Sequence, residues 1–204
     1  PVSLQKGDVM EKEFNYTGTC IPEVHYMVTI SGKIEPVLPL IEKGKYITIT
    51  SPRQFGKTAA LFMLEKKCTS LGYLVISLDF QGIGDVVFQQ EETFAGTFTE
   101  LMAETLEANN EELSRFLLAE SKKLKTLKDL SRLLTGFMKT SKQKIILLID
   151  EVDASSNNDL FIRFLGMLRD KYLKRATGKD VTFLSVILAG VYDVKSLKLK
   201  IREG

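Results

Sequence analysis

The stretch "SPRQFGKT", residues 51–58, decides the reading of this chain. A loop that cradles phosphate is written Gly, four residues, then Gly-Lys-Thr or Gly-Lys-Ser. Here Gly56, Lys57 and Thr58 hold the last three positions, and Ser51 stands where the leading glycine belongs. The tripeptide by itself is weak, because it occurs by chance in roughly one chain in ten of this length. Its surroundings sharpen it. "KYITITS", 45–51, is β-branched and aromatic and reads as a strand. From Lys57 to Leu71 there is no Gly or Pro, and Leu61, Leu64 and Cys68 recur at helical spacing. The loop therefore joins a strand to a helix N-terminus, where outward-pointing N–H groups and the helix dipole favour an anion.

Within that loop each residue type has a physical use. Gly56 lets the backbone approach a phosphate, Lys57 is a point charge suited to β- and γ-phosphates, and Thr58 offers a hydroxyl to Mg²⁺. The candidate nucleotide contacts are Gln54, Phe55, Gly56, Lys57, Thr58 and Ala59. Ser51 does not break the pattern: it precedes Pro52, which pushes it to an extended conformation, so it simply ends the strand. The competing explanation is an ordinary strand-turn-helix with a solvated lysine. Arg53 is as suited to bracing the loop as to reaching a phosphate.

Outward from the loop, strands and helices alternate. "YLVISLDF", 73–80, "KIILLIDE", 144–151, and "VTFLSVILAGV", 181–191, read as further strands. Their near-continuous apolar runs predict burial on both faces, as in a parallel sheet between helices. The stretch 91–140 is helical in character, with breaks near Asn109-Asn110 and around Lys122 to Lys125, and 160–173 is an amphipathic helix. The roughly 60 residues between the second and third strands exceed a minimal crossover, which predicts a helical insertion over about 85–142. Residues 31–44 have helical spacing, but Pro39 argues against one long helix. Residues 1–32 lack periodicity and are expected to form an extended arm preceding a core over 33–204.

The third strand adds a second constellation. Asp150 and Glu151 directly follow the apolar run, at the strand's C-terminal end, the edge of an open α/β sheet where ligands bind. The 51–58 loop also follows a strand and so shares that edge. An aspartate there can hold Mg²⁺ through water, and the adjacent glutamate can polarise an attacking water. The plainer alternative is that Asp150 and Glu151 begin a loop and cap the next helix. Asp153 reads as loop or cap before metal ligand, and Asp79, ending the second strand, as a structural cap before a water-orienting group.

Composition removes other classes. With 44% hydrophobic and 26% charged residues, the chain is no disordered segment. A net charge of +2 is too small to imply nucleic acid or a membrane surface. Two cysteines, Cys20 and Cys68, exclude a disulfide framework and fit a reducing, cytoplasmic setting. His25 is the only histidine, so a multi-histidine metal site is out. No apolar run approaches the ~20 residues of a membrane helix. A first residue of Pro1 suggests a processed, trimmed or excised piece.

On "RQFGKT", "LVISLDF", "IILLIDEVD" and "SVILAGVYDV", with the upstream "FNYTGTCIPEVHYMV", the chain resembles the AAA-like P-loop ATPase domains of prokaryotic ATP-binding proteins, in the additional-strand, catalytic-glutamate division. The resemblance implies a P-loop three-layer sandwich in which the fourth strand lies between the first and third. It implies ATP and Mg²⁺, with Lys57 on phosphates, Thr58 on the metal, Asp150 on the metal through water, and Glu151 on the water nucleophile. There are departures. The family's polar sensor at the end of the fourth strand has only Tyr192 or Asp193 to fill it. A fifth strand and helical lid would fall beyond Gly204, so weak binding and slow or no hydrolysis are expected of this piece.

Three readings follow: an ATPase, a nucleotide-gated interaction module without useful turnover, and a DNA-associated ATPase touching DNA through Lys122, Lys123, Lys125 and Lys128. A homo-oligomer or protein partner is open, with Arg163, Arg169 or Arg175 as a candidate arginine finger. Nucleic acid is weakly supported and a membrane not at all. No Asn-Lys-x-Asp or Thr-Lys-x-Asp exists to read guanine.

Overall fold

A computed structural model describes residues 31–52, 55–155 and 158–191. Residues 1–30 of the expected N-terminal arm, with His25 and Cys20, and Arg53, Gln54, Tyr192 and Asp193 lie outside them, while the arm's last two residues, Ser31 and Gly32, are helical. Four strands, β1 (Ile47–Thr50), β2 (Leu74–Asp79), β3 (Ile145–Asp150) and β4 (Ser185–Gly190), form one parallel sheet in the order β1-β4-β3-β2. The fourth strand thus lies between the first and third, as the resemblance implies. β3 is buried at every position, as its unbroken apolar run requires, whereas β1 at the sheet edge alternates half-buried isoleucines with exposed threonines.

The helices are α1 (Ser31–Ile34), α2 (Leu38–Glu42), α3 (Lys57–Ser70), α4 (Glu91–Glu107), α5 (Glu111–Ser121), α6 (Leu127–Thr140) and α7 (Asp159–Ala176). Alternate strand residues feed two cores. Val75, Ile146, Leu148 and Ile187 pack on one face with Leu61, Leu64 and Cys68 of α3 and with Ile34 and Ile41. Ile76, Leu147, Ile149 and Val186 face the opposite layer, built from α4 to α7. The breaks in the long helical stretch fall where polar residues predict them. Asn110 caps α5 by accepting from Leu113 N–H, and Thr126 caps α6 through a reciprocal capping box with Asp129.

Two features hold the second layer to the end of the sheet that carries the motifs. Phe80, directly after β2, meets Phe88 and Phe161, and Phe94 stacks edge-on to Phe164 with centroids 5.0 Å apart. Glu91 at the start of α4 accepts from Leu127 N–H of α6 and from Arg163 of α7. The fourth strand begins later than its apolar run, at Ser185 rather than Val181. Before it, Asp180 accepts from Val181 N–H and Arg175 donates to the carbonyls of Phe183 and Leu184, and the first backbone bond to β3 is Leu184 N–H to Ile145 O.

Candidate functional site

All four strands run the same way, so every strand C-terminus lies on one edge, and the two motifs meet there. The hydroxyl of Thr58, the second residue of α3, donates to Asp150 Oδ2 at 2.7 Å across 92 positions of sequence. Asp150 is buried, 7% exposed, and its second oxygen accepts from Glu151 N–H at 2.9 Å. Both carboxylate oxygens are therefore committed and its direction is fixed.

Lys57 is the first residue of α3 and is itself 7% exposed, rare for an ammonium. Its Nζ donates to the carbonyls of Ser51 and Pro52, at 3.1 and 3.3 Å, which ties the helix start to the end of β1. Among the described residues no carboxylate is bonded to it. Gly56, at the N-cap, has φ 76°, a left-handed conformation that glycine adopts without strain, and a Cβ there would meet nothing within 4 Å. The approach to the helix N-terminus is open. Ser51 ends the strand as expected, its N–H donating to Gly190 O of β4.

Beside the loop lies a cavity of about 270 Å³ with a mainly apolar lining, including Ile34, Val37, Ile49, Phe55, Ala60 and Leu64. Phe55 is 62% exposed at its mouth. Ala59 is half-buried within the first turn of α3. A second, smaller hollow of about 170 Å³ lies on the other side of Thr58, toward β2, lined by Glu65, Ser77, Asp79 and Asp150 among others. Burial raises the Glu65 carboxyl above the usual range, against an opposing hydrogen bond with Ser77. Sequence reading missed Glu65, because nothing marks one glutamate on a helix as facing a hollow.

Other candidates turn out to be engaged in the fold. Asp79 pairs in register with Asp150, but its Oδ1 accepts from Gln81 N–H, which makes it a turn cap. Asp153 accepts from Val191 N–H at the end of β4. Arg163 is paired with Glu91 and Asp159. Arg175 donates to Gly44, Phe183 and Leu184 carbonyls and sits over the rings of Tyr46 and Tyr172. Arg169 is exposed. In the lysine cluster, Lys123 pairs with Glu120 and Lys125 with Glu92, so part of its charge is answered within the chain. Among the described residues no group of three or more His, Cys, Asp and Glu side chains is arranged to hold a metal ion, and no helix is long and apolar enough to cross a membrane.

An α/β sheet with an anion-favouring helix N-terminus and a fixed carboxylate on the same edge defines a class of nucleotide-binding, ATPase-like domains. The family comparison agrees: a family model described as an AAA-like domain matches residues 30–201, most of the chain, and the chain belongs to that family. No curated protein matches it.

Proposed function

We propose that this chain is a P-loop domain that binds ATP with Mg²⁺, and that the complete protein hydrolyses it to ADP and phosphate. The observation that carries the reading is the 2.7 Å bond between Thr58 and Asp150 beside a buried Lys57. Two motifs far apart in sequence meet where an α/β sheet binds ligands.

The residues fit the absent groups. Open space in front of Gly56 admits phosphate, and Lys57 has a third N–H beyond the two it gives to carbonyls. The Thr58 proton is turned to Asp150, which leaves the hydroxyl lone pairs for Mg²⁺, and Asp150 would anchor that ion's water shell. When bound, the ion neutralises charge on the β- and γ-phosphates. The apolar cavity at Phe55 would take the base. Gln54, Gly56 and Ala59 would supply loop and helix N–H groups to the phosphates, while Phe55, whose N–H is given to Pro52 O, would contact the nucleotide through its ring. Glu151 would orient a water onto the γ-phosphorus and receive its proton as the bond to the bridging oxygen breaks and ADP leaves. Catalysis would rest on positioning and charge neutralisation.

The test is titration with a fluorescent ATP analogue and Mg²⁺, beside Lys57→Ala. The substitution should weaken binding about 10- to 100-fold, the worth of one charge-assisted hydrogen bond. Equal affinity in both proteins, or none in either, would overturn the reading for this chain.

A further inference from the structure

Glu151 is the one non-glycine residue among those described with a positive φ, 52°. A left-handed backbone is costly for a residue with a Cβ, so the surrounding structure must impose it. Upstream, the β3 ladder and the doubly bonded Asp150 fix one side. Downstream, the short 3₁₀ turn Val152–Ser155 is fixed from outside itself. Val152 is wholly buried, and the carboxylate of Asp153 reaches 38 positions along the chain to accept the N–H of Val191. The strand end is shaped to admit it. A Cβ on Gly190 would stand 2.8 Å from Val152 Cγ2 and 2.9 Å from each Asp153 oxygen.

A carboxylate that only capped would reach no farther than its own turn or the helix that follows. This one reaches β4, the strand between the two motif-bearing strands. Gly190 touches both motifs, since its carbonyl accepts from Ser51 N–H at the mouth of the 51–58 loop. We infer that Asp153 is a positioning residue, which locks the turn to the end of β4, holds the left-handed backbone of Glu151, and so sets where its carboxylate stands relative to the loop. The mechanical part rests on the geometry alone. Its consequence for turnover rests on the ATPase reading.

A stability cycle tests the mechanical part without nucleotide. Glu151→Gly should raise the thermal midpoint of the native chain by about 2–4 °C, through relief of strain. In an Asp153→Ala background, where the turn is free to relax, that gain should largely vanish. Asp153→Asn keeps an oxygen able to accept from Val191 and should retain it. A purely structural aspartate would lower every midpoint and leave the gain unchanged, and equal gains in all three backgrounds would overturn the inference. Should Asp153→Ala not fold, Gly190→Ala displaces the same contact and should erase the gain in the same way.

A second readout uses turnover. Asp153→Ala should lower kcat about 10- to 100-fold with analogue affinity within about twofold, and Asp153→Asn should recover most of it. Unchanged kcat beside an active native protein would overturn the consequence for turnover. A native protein that binds no ATP would sink the ATPase reading instead, and the stability cycle would still judge Asp153.

Discussion

Gly56 and Glu151 are left-handed residues on the same edge of the sheet, with opposite expected responses to substitution. Gly56 adopts φ 76° at no steric cost, with open space where a side chain would begin. Gly56→Ala should therefore destabilise the chain by about 1–2 kcal/mol, a backbone penalty alone, measurable as a lowered urea midpoint. Glu151→Gln keeps size and backbone but removes the proton acceptor. In an ATPase it should retain bound ATP while turnover stops. Were nucleotide only a conformational ligand, the substitution should change nothing except partner binding. The sequence marked Lys57, Thr58, Asp150 and Glu151 because they occupy spaced motifs with an explicit chemical pattern. It could not mark the reach of Asp153 to Val191, since a contact between a turn and a distant strand end leaves no trace in periodicity or composition. Asp79 illustrates the converse: its position on the edge was legible, but its bond to Gln81 N–H depends on how one turn closes.

The elements were legible where one force dominates. The β3 run announces a strand buried on both faces, and Asn109-Asn110 and the stretch Lys122 to Lys125 announce the breaks before α5 and α6. The start of β4 was not, because Val181 and Thr182 have strand propensity but tertiary contacts claim them. Those contacts belong to a polar node that staples α6 and α7 to the loop before β4. Lys171 is 1% exposed and spends its three N–H groups on Ser131 O, the Thr135 hydroxyl and Asp180. Asp180→Ala should leave that ammonium buried without its counter-charge and cost about 3–5 kcal/mol. The double variant Lys171→Met, Asp180→Leu should cost much less than Asp180→Ala, by urea unfolding, because no buried charge is left over. Burial pushes the Asp180 carboxyl up, but hydrogen bonds from Lys171, Thr135 and Val181 N–H outweigh it and hold the group below the usual range. A depressed folded value means that the contribution is complete above the unfolded value near ~3.9 and is lost as pH falls below it. Acid unfolding should accordingly be less steep in Asp180→Asn.

Over the whole molecule the mirror-image effect is set by Tyr46. Burial raises its hydroxyl to about 12, against smaller opposing effects of Thr182 and Arg175. A folded value above the unfolded one near ~10 means that the stabilisation is intact below pH ~10 and disappears between pH ~10 and ~12. Unfolding free energy should fall by up to about 2–3 kcal/mol over that interval, and Tyr46→Phe should flatten the fall. The strand order has a consequence in time as well. Among the described strands β1 pairs with β4 alone, and Ile47 pairs with Ile187. During synthesis the segment that carries the phosphate loop emerges early and must wait roughly 7 to 28 seconds, at 5–20 residues per second, for the strand that seats it. β2 and β3 can zip together meanwhile. The loop is thus among the last parts of the nascent chain to acquire its shape, so a half-made protein has a sheet before it has a place to hold a nucleotide.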